Sequence, residues 1–283
     1  MADKLSPSVQ FHDDHKAPRL GFGVWQIPAD ETETIVKTAI DTGYRLIDTA
    51  AIYGNEKGVG DAVRNCGLKR DELFITTKLW NTHHGYDQTM AAFDESMNTL
   101  GLDYIDLYLI HWPAPKIGLY VKSWEAMIQL RDEGRIKSLG VANFNAAHLQ
   151  LLLDETGVLP VLNQIELNPR FQQIELRNFH REQGILTQSW SPMGNGMLWS
   201  NPVLTAIAHK HQRAVAQIIL RWHLQLGCMV IPKSVTPSRI AENFRVFDFA
   251  LDADDMAAIA RLDEADARHG PDPERFRLPK AEI

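Results

Sequence analysis

The 283-residue chain carries 29 lysines and arginines against 36 aspartates and glutamates, a formal net charge of -7, with 45% hydrophobic and 23% charged residues. This balance suits a globular protein with a large core, and a net acidic surface with no basic run excludes nucleic acid and anionic membrane as partners. The two cysteines, Cys66 and Cys228, make neither a disulfide framework nor a CxxC site, and no apolar stretch reaches signal-peptide or membrane-spanning length, so a cytoplasmic protein is expected.

In chain order, Val9-Gln10-Phe11 and Arg19-Leu20 flank Asp13-Asp14-His15 and predict a hairpin covering the bottom of the fold. Gly21-Phe22-Gly23 begins a dinucleotide fingerprint, but position 26 is Gln and the third glycine is missing. Asp30 with Glu33 predicts a capping box, followed by Ile35, Val36, Ala39 and Ile40 at helical spacing and a stop at Gly43. The pattern recurs with Val59, Ala62, Val63 and Cys66 before Gly67, then with Met90, Phe93, Met97 and Leu100 before Gly101. It continues around Trp124 and Ile128 before Gly134, and with Leu149, Leu152 and Leu153 before Gly157.

The apolar runs between these helices fall near 20–25, 44–48, 73–78, 104–110, 136–142, 161–166, 185–190 and 228–232. Alternating strands and helices demand a parallel sheet, and eight units without a polar spacer predict an α/β fold closed as a (β/α)8 TIM barrel, one domain over 1–283. The proline-rich tail from Gly270 to Ile283, with Pro271, Pro273 and Pro279, is expected to be an irregular flap narrowing the substrate entrance.

Asp48, Lys78 and His111 each end one of these runs, and Tyr53 follows five residues after Asp48. If the strands are parallel neighbours, a phenol, an ammonium, an imidazole and a carboxylate meet at one edge of the sheet. A phenol is a weak acid at neutral pH unless a positive charge favours the phenolate, which Lys78 can supply while Asp48 keeps that ammonium protonated. A neutral His111 can orient and polarise a carbonyl oxygen. Together these groups suit protonation of an oxygen that has just received a hydride.

Beyond this quartet, the segments Gly21-Phe22-Gly23-Val24-Trp25, Asp48 to Glu56, Ile75 to Trp80, Asp106 to Pro113, Gly140 to Phe144, Asn163 to Glu166 and Ile231 to Ser234 resemble the aldo-keto reductase family over essentially the whole chain. The resemblance implies Asp48, Tyr53, Lys78 and His111 as catalytic residues and NADPH as cofactor, bound without a Rossmann domain. It further implies that Asn143 and Gln164 hold the nicotinamide amide and that the ring stacks on Trp190. Ser189, Ser191, Met193, Gly194 and Gly196 resemble the loop over the pyrophosphate. Lys233, Ser234, Val235, Arg239, Glu242 and Asn243 resemble the segment that grips the 2′-phosphate, where a strand end followed by a helix start offers N–H groups and a favourable dipole. Ala142 replaces the serine found in many members, and Thr236 stands where some carry another basic residue.

Trp190 within Thr187 to Pro192, together with Arg221-Trp222-His223-Leu224 and Pro271-Asp272-Pro273, is similar to the prokaryotic 2,5-diketo-D-gluconate reductase branch. That likeness implies a monomer acting on small carbonyls such as diketogluconate, methylglyoxal or β-keto esters. Trp25, Ala50, Trp80, Trp112 and Trp190 are the expected substrate walls. The competing possibility is a non-catalytic NADP-binding regulatory subunit on the same fold, which would not require all four proton-handling residues. A metal site is not expected, because His83-His84 and His209 with His211 lack carboxylates at a ligand spacing and are expected at the surface.

Overall fold

The computed structural model describes residues 5–276. The chain opens with the expected hairpin, β1 (Ser8–Gln10) and β2 (Lys16–Pro18), paired antiparallel. The second strand ends before Arg19, because Leu20 instead leaves to bridge Val230. Phe11 and Ala17 pack with Leu46 and Phe74 from the N-terminal ends of the main strands, so the hairpin covers that end of the sheet.

Strands and helices then alternate: β3 (Phe22–Gly23), α1 (Ala29–Thr42), β4 (Leu46–Asp48), α2 (Glu56–Asn65), β5 (Phe74–Leu79), α3 (Tyr86–Leu100), β6 (Ile105–Ile110), α4 (Tyr120–Asp132), β7 (Ile136–Ala142) and α5 (Ala146–Thr156). The second half holds β8 (Leu162–Glu166), α6 (Ile174–Glu182), β9 (Leu186–Trp190), α7 (Pro202–His211), α8 (Val215–Gln225), β10 (Met229–Val230), α9 (Pro237–Phe244) and α10 (Ala253–Ala260). Gly43, Gly101 and Gly157 stop their helices with left-handed or similarly positive φ, as the spacing predicts. The Asp30–Glu33 capping box is not formed: α1 starts two residues earlier, with Pro28 in the cap position, and Asp30 lies inside its first turn. Two helices, rather than one, separate β9 from β10.

The expected closed TIM barrel is corrected by the strand order. Eight parallel strands form one curved, open sheet running from β3 to β10, with those two at its ends. Among the described residues no ladder joins the ends, which are linked by the isolated Leu20–Val230 bridge and backbone bonds from Val230 N–H to Arg19 O, from Gly21 N–H to Val230 O and from Gly23 N–H to Pro232 O. The physical reason is length: both end strands are two residues long, too short for a continuous register. Even this seam depends on glycine, since a Cβ at Gly21 would lie 2.3 Å from the Leu46 side chain.

Side chains alternate between the two faces of the sheet. Ile47, Ile75, Tyr108 and Ile110 pack outward in the large core against the helices, whereas Leu46, Phe74, Leu107, Leu109 and Leu162 form the inner core. Continuing the inner series by twos reaches Asp48, Thr76 and Lys78, then His111 and Gln164, at the C-terminal ends of their strands. Register therefore aims these polar groups at one end of the inner face.

Candidate active site

Beyond the C-terminal strand ends lies a cavity of about 570 Å³. Trp25, Trp80, Trp112 and Trp190 line it together with Tyr53, His111, Asn143 and Gln164. Ala50, expected as a wall, is buried and does not line the cavity, because it precedes the short helical turn Ala51–Tyr53 that carries Tyr53 outward. The lining also includes Gln26, Ile52, Asn195, Ile231 and His269, which pattern reasoning missed, and Gly270 and Pro271 from the expected C-terminal flap. One signal was available for Asn195, which stands between two glycines. Gln26, Asn143, Ser191 and Asn195, with φ of 58, 64, 46 and 51°, are left-handed non-glycine residues, and all four line the cavity. Such backbone strain gathers where side chains are held for function.

Behind the cavity wall, the fully buried Lys78 ammonium bonds the Asp48 carboxylate and donates to Thr49 O at 2.8 Å. It also contacts the Tyr53 hydroxyl, with Nζ 5.1 Å from that ring's centre. Gln164 Nε2 donates to the second Asp48 oxygen at 2.7 Å, closing the carboxylate's shell. His111 sits edge-on to Tyr53 at 5.6 Å and to Trp80 at 5.2 Å between ring centres, and its Nδ1 has no hydrogen-bond partner. The four residues singled out in the sequence are thus brought together.

Their electrostatics follow from burial and pairing. Burial alone would discharge Lys78, but Asp48 and Tyr53 hold its pKa above the ordinary lysine value. Burial pushes the Asp48 carboxyl upward, against Lys78 and the Gln164 hydrogen bond. Burial also raises the Tyr53 phenol, with Lys78 opposing and Asp48 reinforcing the rise, so Lys78 does not by itself make the phenolate the resting form. His111 is held well below its usual value by burial and then by Lys78, and is neutral at neutral pH.

The other expected residues divide into two groups. Asn143 is engaged within the protein: Nδ2 donates to His111 O at 2.9 Å and Oδ1 accepts from Trp190 Nε1 at 2.8 Å. Ser189 is buried and donates to Leu167 O at 2.7 Å. Ser191 lines the cavity, while Met193, Gly194 and Gly196 sit in the following turn outside the lining. Lys233 and Arg239, by contrast, are exposed and form no ion pair among the described residues. They flank the start of α9, whose first residue is Pro237 and whose cap Thr236 makes no side-chain cap bond. Ser234 lies beside them with Oγ accepting from Thr236 N–H, Val235 is half-exposed, Glu242 is exposed and Asn243 is buried. Ile231, two residues before Lys233, lines the cavity, so the chain leads from the cavity wall to these cations.

A model of the aldo/keto reductase family matches residues 19–264, most of the chain. The chain belongs to the aldo/keto reductase family. Its relatives include an aldo-keto reductase of Mycolicibacterium smegmatis, 52% identical over 97% of this chain and 99% of that protein. Methylglyoxal reductase DkgA of Escherichia coli is 52% identical over 95% of this chain and 97% of that protein. Among solved structures, a Gox0644 mutant in complex with NADPH superposes with a TM-score of 0.94 at 49% identity, covering 97% of this chain and all of that one.

Among the described residues no cluster of three His, Cys, Asp or Glu side chains could hold a metal, and no helix is long and apolar enough to cross a membrane. His84 is not a surface residue: it is 3% exposed, with burial lowering its pKa to about 4, whereas His83 is exposed. His211 pairs with Asp255 at 2.6 Å, and that carboxylate also takes Lys210. The C-terminal segment reaches the cavity as the flap expectation requires: Glu166 accepts from His269 N–H at 2.7 Å and Gly270 N–H at 2.8 Å, and Phe276 stacks on Trp112 at 4.6 Å. Pro279 and Ile283 lie outside the described residues.

Proposed function

We propose that this chain, folded as one domain over 1–283, reduces small aldehydes and ketones to alcohols with NADPH, with Tyr53 as proton donor. The observation that carries this reading is the Asp48–Lys78–Tyr53–His111 cluster at the floor of a tryptophan-walled cavity.

The residues fit the cofactor. Gln164 Oε1 forms no hydrogen bond within the described chain and would accept from the nicotinamide amide, while Asn143 fixes the Trp190 indole that the ring would stack on. Lys233, Ser234, Val235, Arg239, Glu242 and Asn243 would surround the 2′-phosphate at the open start of α9, with Lys233 and Arg239 supplying charge. Ser189, Ser191, Met193, Gly194 and Gly196 would border the pyrophosphate. NADPH, when bound, supplies a hydride to the carbonyl carbon.

The chain's own part is the oxygen. Neutral His111 donates a hydrogen bond that polarises the carbonyl and orients it toward Tyr53. Because burial keeps the phenol protonated, Tyr53 reaches the reaction with its proton in place and delivers it to the oxygen as negative charge develops there. Lys78 then stabilises the phenolate left behind, and Asp48 holds Lys78 charged and fixed. Trp25, Trp80 and Trp112 exclude water and select substrates by shape.

The substrates proposed are methylglyoxal, β-keto esters and 2,5-diketo-D-gluconate. The first is supported by the likeness to methylglyoxal reductase DkgA, and the branch by the Trp190 segment. The test is loss of NADPH absorbance on adding each carbonyl, run beside Tyr53→Phe. The variant is expected to bind NADPH normally while kcat falls by about 10²-fold or more. Near-normal turnover in Tyr53→Phe would overturn the assignment.

A further inference from the structure

On the outer face of the sheet, between β5, β6 and the helices α2 and α3, lies a second cavity of about 600 Å³. Its wall is shared with the first: Ile52 and Trp80 line both, and Tyr53 belongs to the same short helical turn as Ile52.

Two independent observations mark this cavity as more than a packing gap. Tyr108, a lining residue from β6, is fully buried, and its hydroxyl has no hydrogen-bond partner. An unmet buried hydroxyl is costly, and a ligand or water in the adjoining space removes the cost. Glu56, 5% exposed at the start of α2, also faces the cavity, where its carboxylate accepts from Thr77 Oγ1 at 2.6 Å and from the Ser96 hydroxyl. Glu95 on α3 adds a second carboxylate with no ion pair among the described residues. The one lysine in the lining, Lys57, turns its ammonium to Asp61 at 2.7 Å, and neither carboxylate has an ion-pair partner among the described residues. The other walls are mixed: Leu79, Ala92 and Trp80 are apolar or aromatic, and Thr82, His83 and Thr99 are polar.

A buried carboxylate, an unmet hydroxyl and an aromatic wall beside the apolar stretch of Leu79 and Ala92 match a cation with a short hydrocarbon body. We propose that this second cavity binds a small organic ammonium ion, a primary amine on a short alkyl chain, and that occupancy alters carbonyl turnover through the turn shared with Tyr53. The ammonium meets Glu56 and Tyr108, and the alkyl chain lies against Leu79 and Ala92. The binding claim stands alone; the effect on turnover rests on the role of Tyr53 proposed above.

The probe is n-butylammonium chloride, compared with butan-1-ol of the same shape and with sodium chloride at equal ionic strength. Saturating n-butylammonium is expected to raise the Tm of the full chain by about 2–4 °C, and neither control should do so. Glu56→Gln removes the charge and Ala92→Leu fills the space, and each is expected to abolish the shift. These are separate blocks, so misfolding of one leaves the other as the test. No shift with n-butylammonium, an equal shift with butan-1-ol, or a shift surviving Ala92→Leu would overturn the site. In parallel, kcat/KM for methylglyoxal is expected to change on adding n-butylammonium to the unaltered chain but not to Ala92→Leu. A Tm shift without any kinetic change would retain the site and overturn its link to Tyr53. If no carbonyl is reduced at all, the functional reading fails while the Tm measurement still decides the site.

Discussion

At the C-terminal ends of β4 and β5, the charges are matched inside the protein: Lys78 is held by Asp48, Thr49 O and Tyr53, and Asp48 by Lys78 and Gln164. At the start of α9 the opposite holds, with Lys233 and Arg239 exposed and unpaired among the described residues. The difference follows from burial. A charge taken out of water must be compensated where it lies, whereas a surface cation costs little to leave unmatched and can wait for an anion. The first region is organised before any ligand arrives. In the proposed function the second is completed by one, and its strength should depend on salt.

Breaking the buried region should have the largest effect. Lys78→Met leaves the Asp48 carboxylate buried beside Gln164 without its cation, a defect worth about 3–5 kcal/mol. Thermal denaturation is expected to show a Tm lower by roughly 10 °C, and turnover to fall by more than about 10²-fold. Adding Asp48→Asn should recover most of the stability and none of the turnover. A single variant as stable as the unaltered chain would mean that the pair is not a matched buried charge.

The exposed region should break more gently. Lys233→Gly with Arg239→His is expected to leave Tm nearly unchanged and to weaken NADPH about tenfold, the size of one lost charge-assisted hydrogen bond. NADH should be little affected, so the ratio of kcat/KM values for the two cofactors narrows. Raising salt should erode NADPH use by the unaltered chain more than by the variant. An unmoved cofactor ratio would place the phosphate elsewhere.

Much of this arrangement was legible because it rests on local rules. Glycine stops at Gly43, Gly101 and Gly157 delimited helices, and strand ends at Asp48, Lys78 and His111 placed three polar groups at one edge. What escaped depends on distances the sequence does not carry. Whether the sheet closes turns on the reach of two-residue strands at its ends, and eight apolar runs count strands without measuring them. Ala50 was expected as a wall, but it precedes the helical turn Ala51–Tyr53 and is buried in the core, whereas Tyr53 at the end of that turn lines the cavity. His84 sat in a polar run that suggested surface, yet packing after β5 buries it. The lining by Gln26 came from a left-handed turn that no pattern announced, whereas Asn195 was marked by its flanking glycines.

Outside both regions, Gly270 gives a smaller and finer test. Its N–H and that of His269 are held by the fully buried Glu166 carboxylate, which docks the C-terminal segment against Trp190. A Cβ on Gly270 would lie 2.6 Å from the Trp190 ring and 3.0 Å from Glu166 Oε2, so the segment or the indole must move. Trp190 is itself tied to Asn143 and through it to His111, so a displaced indole would disturb the proposed nicotinamide face without touching either Lys78 or Lys233. Overpacking of this kind costs about 1 kcal/mol or more. Gly270→Ala is therefore expected to raise KM for NADPH and NADH alike by about fivefold, because the ring is common to both cofactors. Equal weakening of the two would separate this contact from the phosphate segment, whose loss affects NADPH alone. A Gly270→Ala enzyme with unchanged KM for both would show that the C-terminal segment yields and that Trp190 is held in place by Asn143 without it.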